Sequence, residues 1–311
     1  MGVLTPVGAG TVAFALSLRA GKSGIVSISG SRCAALLAEP TWAATFDALP
    51  ASLDRLRKTA PRILRSAPWS TPVAAESALE AWLDANLEPV DPESIALVVA
   101  GNNLHQRYTV DAHDRFLESG RVNPRYAIGF PDTGTLGAVS EILGIRGAGF
   151  TVGGSAAAGN LALHQAMLLL RGGAADVCLC VGAPCDFSPL EFEAFTAAGA
   201  MSIQGDPARA CRPFDADRNG FVYGQGSAAL VLETEAHARR RGARVRAELA
   251  AAAIVLDGNH SIDPSRDGEA RAMTLAMRRA GVQPASVQYL NAHGTGSPAG
   301  DTAECAAIRK A

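Results

Sequence analysis

The chain has 311 residues, 48% of them hydrophobic and 19% charged, with a formal net charge of −2 at neutral pH. That length sustains a packed core in one large domain or two joined ones, and the near-neutral balance excludes the basic field that nucleic-acid binding needs. No apolar run reaches the roughly 18 residues of a membrane span and no charged leader opens the chain, which points to a cytoplasmic protein with no membrane association.

In chain order, the first strong pattern is helical, at 74–87, preceded by a stretch at 52–72 whose charges and prolines read as a surface excursion. An apolar run at 96–100 predicts a strand, followed by helices at 111–118 and 135–143. Strands are predicted at 148–153, 176–182 and 228–233, with helices at 157–170 and 189–198 between them. Further strands at 244–256 and 286–291 alternate with helices at 268–280 and 301–309. Such alternation predicts an α/β protein with mostly parallel sheets. Cys178 and Cys180 alternate within V-C-L-C-V, so both point to one buried face. With Cys33, Cys185, Cys211 and Cys305 they match neither a zinc spacing nor a secreted disulfide framework.

Three motifs imitate ligand sites and fall short. Asp215-Ala-Asp217-Arg-Asn219-Gly220 opens like a calcium loop, but its twelfth position is Gly226, where a bidentate Glu is needed. Gly8-Ala-Gly10 lacks an acidic residue at the spacing a ribose contact requires. Gly224-Gln-Gly226 leads into a strand instead of a helix, the wrong setting for a pyrophosphate. No metal and no bound cofactor is therefore expected.

Two segments carry chemistry. In Gly149-Phe-Thr-Val-Gly-Gly-Ser155-Ala-Ala-Ala-Gly-Asn160 an apolar strand enters small residues and then a helix. The small residues permit a sharp turn. Ser155 is left at a helix start, a place that suits a nucleophile or a developing oxyanion, and equally a plain N-cap. The G-x-S-x-G hydrolase elbow is excluded by Ala157. In Asn291-Ala-His293-Gly-Thr295-Gly-Ser297-Pro-Ala-Gly-Asp301-Thr-Ala-Glu304 a strand delivers an imidazole into a glycine-rich loop that offers hydroxyls. Asp301 is placed to cap the helix that follows.

At these residues the chain resembles the ketosynthases of fatty-acid and polyketide synthesis. Gly2-Val-Leu-Thr-Pro-Val-Gly8 is similar to their opening strand and turn. Arg212-Pro-Phe-Asp215-Ala-Asp217-Arg218-Asn-Gly220-Phe221-Val-Tyr-Gly224-Gln-Gly226 is similar to their R-P-F-D-x-x-R-x-G-F-V-x-G-x-G segment, and 291–304 to their histidine loop. The resemblance implies a thiolase-like fold, a pseudo-duplicated, layered α/β architecture. Residues 1–243 would form the N-terminal half and 244–311 the start of a C-terminal half that is incomplete. It also implies a homodimer, and substrates carried on the phosphopantetheine of an acyl carrier protein. His293 matches the first active-site histidine, Thr295 and Ser297 the hydroxyls that contact the pantetheine arm, and Phe221 an aromatic beside the acyl pocket. Glu304 matches the acidic residue that holds a lysine of a later motif.

Two departures shape the expected function. Ser155 stands where the family has its nucleophilic cysteine, and a hydroxyl without an adjacent base is a weak acyl acceptor. The lysine–histidine motif and the second glycine-rich oxyanion element do not follow the histidine loop. The V-G-G-S pattern resembles the discrete decarboxylating ketosynthases of polyketide β-branching cassettes. These convert malonyl to acetyl carrier protein for an HMG-CoA-synthase-like partner. Two alternatives stand beside this expectation: a condensing synthase that uses Ser155 as a poor acyl acceptor, and a non-catalytic chain-length or scaffold partner. The intact His293-Gly-Thr295-Gly-Ser297 loop weighs against the last.

Overall fold

The structure is a computed structural model that describes residues 1–29, 32–38, 41–258, 260 and 263–311. The chain opens with β1 (Gly2–Thr5), β2 (Gly8–Ala9) and α1 (Thr11–Arg19), followed by β3 (Val26–Ser29) and β4 (Arg32–Ala35). Then come α2 (Trp42–Asp47), α3 (Asp54–Leu64), α4 (Ser70–Asp84), β5 (Ile95–Ala100), α5 (Gln106–Ser119), α6 (Tyr126–Gly129) and α7 (Thr133–Leu143). The next elements are β6 (Gly149–Val152), α8 (Ala158–Arg171), β7 (Val177–Gly182), α9 (Pro189–Ala197), α10 (Pro207–Ala210), β8 (Tyr223–Gly224) and β9 (Ser227–Glu233). The chain closes with α11 (Glu235–Arg240), α12 (Arg266–Ala280) and α13 (Pro298–Lys310).

These elements form two compact units: Met1–Lys22, Leu37–Leu190 and Gln225–Val245 in one, and Ser23–Leu36, Glu191–Gly224 and Arg246–Ala311 in the other. The first unit is built on a six-stranded sheet in the order β2-β1-β9-β7-β5-β6. The sheet is mixed, which corrects the expectation of mostly parallel strands. β5 pairs parallel with β6 and β7, while β9 enters antiparallel to β7 and β1, and β1 is antiparallel to β2. The connections from β5 to β6 and from β6 to β7 run through helices that return the chain to the same end of the sheet before the next strand begins, which makes these strands parallel.

Every residue of β5 is buried, as are the first five of β7, so both faces of the sheet are covered. Pleating divides their side chains between two cores. Leu97, Val99, Leu179 and Val181 face α3, α4 and α7 through Leu56, Leu79, Trp82, Val139 and Ile142. Ala96, Val98, Cys178 and Cys180 face Ala158, Ala162 and Ala166, which share one side of α8 at i, i+4 and i+8. The two cysteines thus share a buried face. Polar stitches tie α4 into this layer: Ser70 Oγ donates to the Leu104 carbonyl at 2.7 Å, and the Ser77 and Ser227 hydroxyls meet at 2.6 Å.

The stretch at 52–72 is no surface excursion. Leu56, Ala60 and Leu64 are buried along one face of α3, and the start of α4 is buried as well. The i, i+4, i+8 apolar spacing makes the helix, and Pro61 lies inside it at the cost of one backbone bond.

The second unit contains the three-stranded sheet β3-β4-β8 and a helical pair, α12 and α13. Residues 244–256 and 286–291, both expected as strands, form no strand among the described residues. A strand exists only through a hydrogen-bonded neighbour, and no described segment ladders with either stretch. Among the described residues no helix is long and apolar enough to cross a membrane.

Candidate active site

Ser155 belongs to the first unit. β6 ends at Val152, and Gly153 and Gly154 make the turn into a single 3-10 turn, Ser155–Ala157, that feeds α8. A Cβ at Gly153 would sit 3.2 Å from Cβ of Asn102, tighter than most real contacts, so the close approach of the two loops favours glycine. Ser155 itself has φ +48°, a left-handed conformation that is uncommon for a non-glycine residue and concentrates at functional turns. Its backbone N–H donates to Asn102 Oδ1 at 3.0 Å. The N-cap role open to it from the sequence is not the one it takes: Gly154 caps the 3-10 turn and Ala157 caps α8, neither with a side-chain bond. The residue is exposed, and no described side chain takes a hydrogen bond from its hydroxyl.

Asn102 is fixed by its own loop. The Gly101 N–H donates to the Val152 carbonyl at 3.0 Å. The Asn103 and Leu104 N–H groups both donate to Asp132, one to each carboxylate oxygen, at 2.8 Å. Beyond Leu104, the buried His105 meets the Thr135 hydroxyl through Nε2, and burial lowers its pKa.

The histidine loop belongs to the second unit. Glu304, on the second turn of α13, accepts the N–H of His293 at 2.6 Å and that of Gly294 at 2.8 Å, one on each oxygen. The carboxylate grips main chain, while the imidazole stays exposed. Asp301, 2% exposed, does not cap α13. Ser297 does, accepting from the Gly300 N–H at 3.2 Å. Capping needs an oxygen just before the first helical residue, whereas Asp301 lies a turn inside, where its side chain points back over the loop. Its Oδ1 accepts the Gly296 N–H at 3.0 Å, its Oδ2 accepts the Phe214 N–H at 2.6 Å, and Arg218 Nε lies 3.4 Å from it. One buried carboxylate therefore joins the glycine loop to the Arg212–Asp215 turn.

Thr295 and Ser297 bond to each other, hydroxyl to hydroxyl at 3.1 Å, and the Ser297 N–H donates back to Thr295 Oγ1 at 3.2 Å. Gly220 N–H donates to the Gly296 carbonyl at 3.0 Å, and Gly296, at φ +82°, could carry a Cβ only 3.0 Å from the Gly220 oxygen. Phe221 follows that contact; its N–H donates to the Ala200 carbonyl and its ring meets Phe195 edge-on, centroids 5.5 Å apart.

The structure thus assembles Phe221, His293, Thr295, Ser297, Asp301 and Glu304 in the second unit and places Ser155 in the first. Sequence reasoning passed over Asn102 and Asp132, whose roles come from loop-to-loop bonds at long separation. It also passed over Glu269 of α12, whose buried Oε2 has no partner among the described residues. Burial, then the Glu304 carboxylate, raises the Glu269 pKa, while the nearby His293 works in the opposite sense. No group of three or more potential ligands that could hold a metal occurs among the described residues.

Comparison with known proteins finds matches along nearly the whole chain. The domain described as "Beta-ketoacyl synthase, N-terminal domain" matches residues 1–238, and "Beta-ketoacyl synthase, C-terminal domain" matches residues 246–311. The chain is 40% identical over 260 residues to the polyketide biosynthesis malonyl-ACP decarboxylase PksF of Bacillus subtilis (strain 168), covering 82% of this chain and 62% of that protein. It is 32% identical over 318 residues to a 3-oxoacyl-(acyl-carrier-protein) synthase 2 of Vibrio cholerae serotype O1, covering 100% and 75%. The chain thus spans less than two thirds of the length of PksF. Among solved structures it is similar to the ishigamide ketosynthase/chain length factor, with a TM-score of 0.84 and 27% identity over 100% of this chain and 76% of that one. A beta-ketoacyl synthase from Burkholderia phymatum STM815 matches with a TM-score of 0.82 and 26% identity, covering 99% and 76%.

Proposed function

The chain belongs to the beta-ketoacyl synthase family, and on that premise we propose that it is a malonyl-thioester decarboxylase. Its substrate is a malonyl group on the phosphopantetheine arm of an acyl carrier protein, and its products are carbon dioxide and acetyl carrier protein. The observation that carries this proposal is Ser155: a hydroxyl in a left-handed turn just after the edge strand β6, with no base hydrogen-bonded to it among the described residues. An unactivated hydroxyl is a poor acyl acceptor, so condensation through an acyl enzyme is disfavoured. The likeness to PksF supports the same direction.

Decarboxylation needs no acyl transfer. The bond between Cα and the carboxylate carbon breaks, and its electron pair passes into an enolate whose charge rests on the thioester oxygen. A hydrogen-bond donor at that oxygen lowers the barrier, and protonation of the carbon yields acetyl. In this proposal Nε2–H of His293 is the donor, and Glu304 and Asp301 hold its loop. Thr295 and Ser297 contact the pantetheine arm, and Phe221 lies beside the acyl group. The acetyl product supplies polyketide β-branching through an HMG-CoA-synthase-like partner, and the working form is a homodimer.

The test incubates the full-length protein with malonyl carrier protein and follows carbon dioxide and the intact mass of both proteins. Acetyl carrier protein should accumulate without an acyl adduct on Ser155, and His293→Ala should slow release by ~10²–10³. A stoichiometric acyl-Ser155 that turns over to a β-ketoacyl product would establish condensation instead. Unchanged release in His293→Ala would remove the imidazole from the site.

A further inference from the structure

The bond between Ser155 and Asn102 carries a second consequence. When the side chain of a residue attacks a carbonyl, the oxyanion that forms lies close to that residue's own backbone N–H. Acyl-transfer sites use this N–H as one of their donors. Here that N–H is already engaged by Asn102 Oδ1 at 3.0 Å. The acceptor is not a loose surface side chain. Gly101 is tied to Val152 on one side of it, Asn103 and Leu104 are tied to both oxygens of Asp132 on the other, and the Cys185 thiol donates to the Asn103 carbonyl at 3.0 Å. Because the donor is an N–H, the amide must present its oxygen, which fixes its orientation.

We propose that Asn102 is a specificity-determining, positioning residue: by occupying the Ser155 N–H it withholds the donor that acyl transfer to residue 155 requires. The site is then barred from condensation twice, once by the missing thiol and once by the missing donor. This deepens the decarboxylase proposal and rests on it. It follows that restoring the thiol alone does not restore acyl transfer. In that transfer the sulfur of residue 155 bonds to the acyl carbon, the carbon–sulfur bond to pantetheine breaks, and the proton of the attacking thiol ends on the departing pantetheine sulfur.

The experiment compares Ser155→Cys in the full-length protein with the same protein carrying also Asn102→Ala, Asn102→Gly or Asn102→Asp. Acetyl carrier protein is the donor, and acetylation of residue 155 is timed by intact mass, with melting curves recorded for each variant. Ser155→Cys alone should acylate slowly. Either Ala or Gly at 102, whichever folds, should accelerate it about tenfold or more, a part of the ~10²–10³ that one oxyanion donor is worth. Asp, which keeps an acceptor oxygen, should leave it slow, a rescue that a merely structural role would not produce. No acceleration with Ala or Gly, or equal acceleration with Asp, overturns the proposal. Malonyl decarboxylation by the unaltered protein is measured alongside. Its absence would refute the function proposed above while leaving the acylation series to be judged separately.

Discussion

β7 and the stretch 244–256 are both apolar, yet they live in different circumstances. β7 is laddered on both sides, to β5 and to β9, and Val177, Leu179 and Val181 are 0% exposed. In the other stretch Val245, Leu249, Ile254 and Leu256 are all exposed, the last at 85%, and no described strand pairs with them. The exposed Val287, Tyr289 and Leu290 repeat the situation just before the histidine loop. Between residues 255–256 and α12 lies an open cleft of about 580 Å³, its lining including Leu256, Ala270 and Leu275. The contrast teaches that apolar composition creates a demand for burial, and that only neighbours on both edges and both faces turn it into a strand.

Leucine side chains removed from the two regions should differ widely in cost. Leu179→Ala should cost ~2–5 kcal/mol, the range for emptying a closed core, whereas Leu256→Ser should fall within about 0.5 kcal/mol. Urea denaturation of each variant of the full-length protein measures both. A comparable loss at Leu256 would mean that this stretch is covered in solution.

Where ladders are lacking, order near the histidine loop depends on single carboxylates. Asp301→Ala strands the Gly296 and Phe214 amides and the Arg218 guanidinium, and should cost ~2–4 kcal/mol. Hydrogen exchange should accelerate at the Gly296 and Phe214 amides and stay unchanged in β7. Acceleration spread evenly over both units would refute a local clamp.

The smallest effect lies in the loop after β7. Burial raises the Asp186 pKa from 3.8 to about 6; Arg107 opposes the shift and Asp111 adds to it. The native state therefore holds a proton that the unfolded chain has released, and stability falls as pH rises from about 4 through 6. Asp186→Asn should stabilise the protein at pH 7 by roughly 1 kcal/mol, once solvent screening of this partly exposed group is allowed for, and by nothing below pH 4. Melting temperatures of both proteins across that range test it. A difference independent of pH would assign the effect to something other than ionisation.

What was legible in the sequence follows the same divide. Strands and helices whose pattern is local, such as β5, β7, α8 and α12, stood out from periodicity alone, as did the turn that presents Ser155 and the glycine frame of His293. The helix α3 escaped because charges and prolines hid its three buried positions. Asp301 reads as a cap from the sequence because one of its true partners, Phe214, lies 87 residues away, and the other, Gly296, is five residues back in a loop whose path the sequence does not reveal. Asn102 gave no local sign at all, since its bond to Ser155 spans 53 residues. The mixed sheet was invisible for a related reason: the direction of β9 depends on which end of the sheet the chain returns to.

The grip of Glu304 has an evolutionary side. It closes on two main-chain amide hydrogens, one of which any residue except proline would offer at position 293 and the other of which belongs to Gly294, and it takes no hold of the ring. Heredity can therefore exchange the side chain at that point without disturbing the anchorage of the loop.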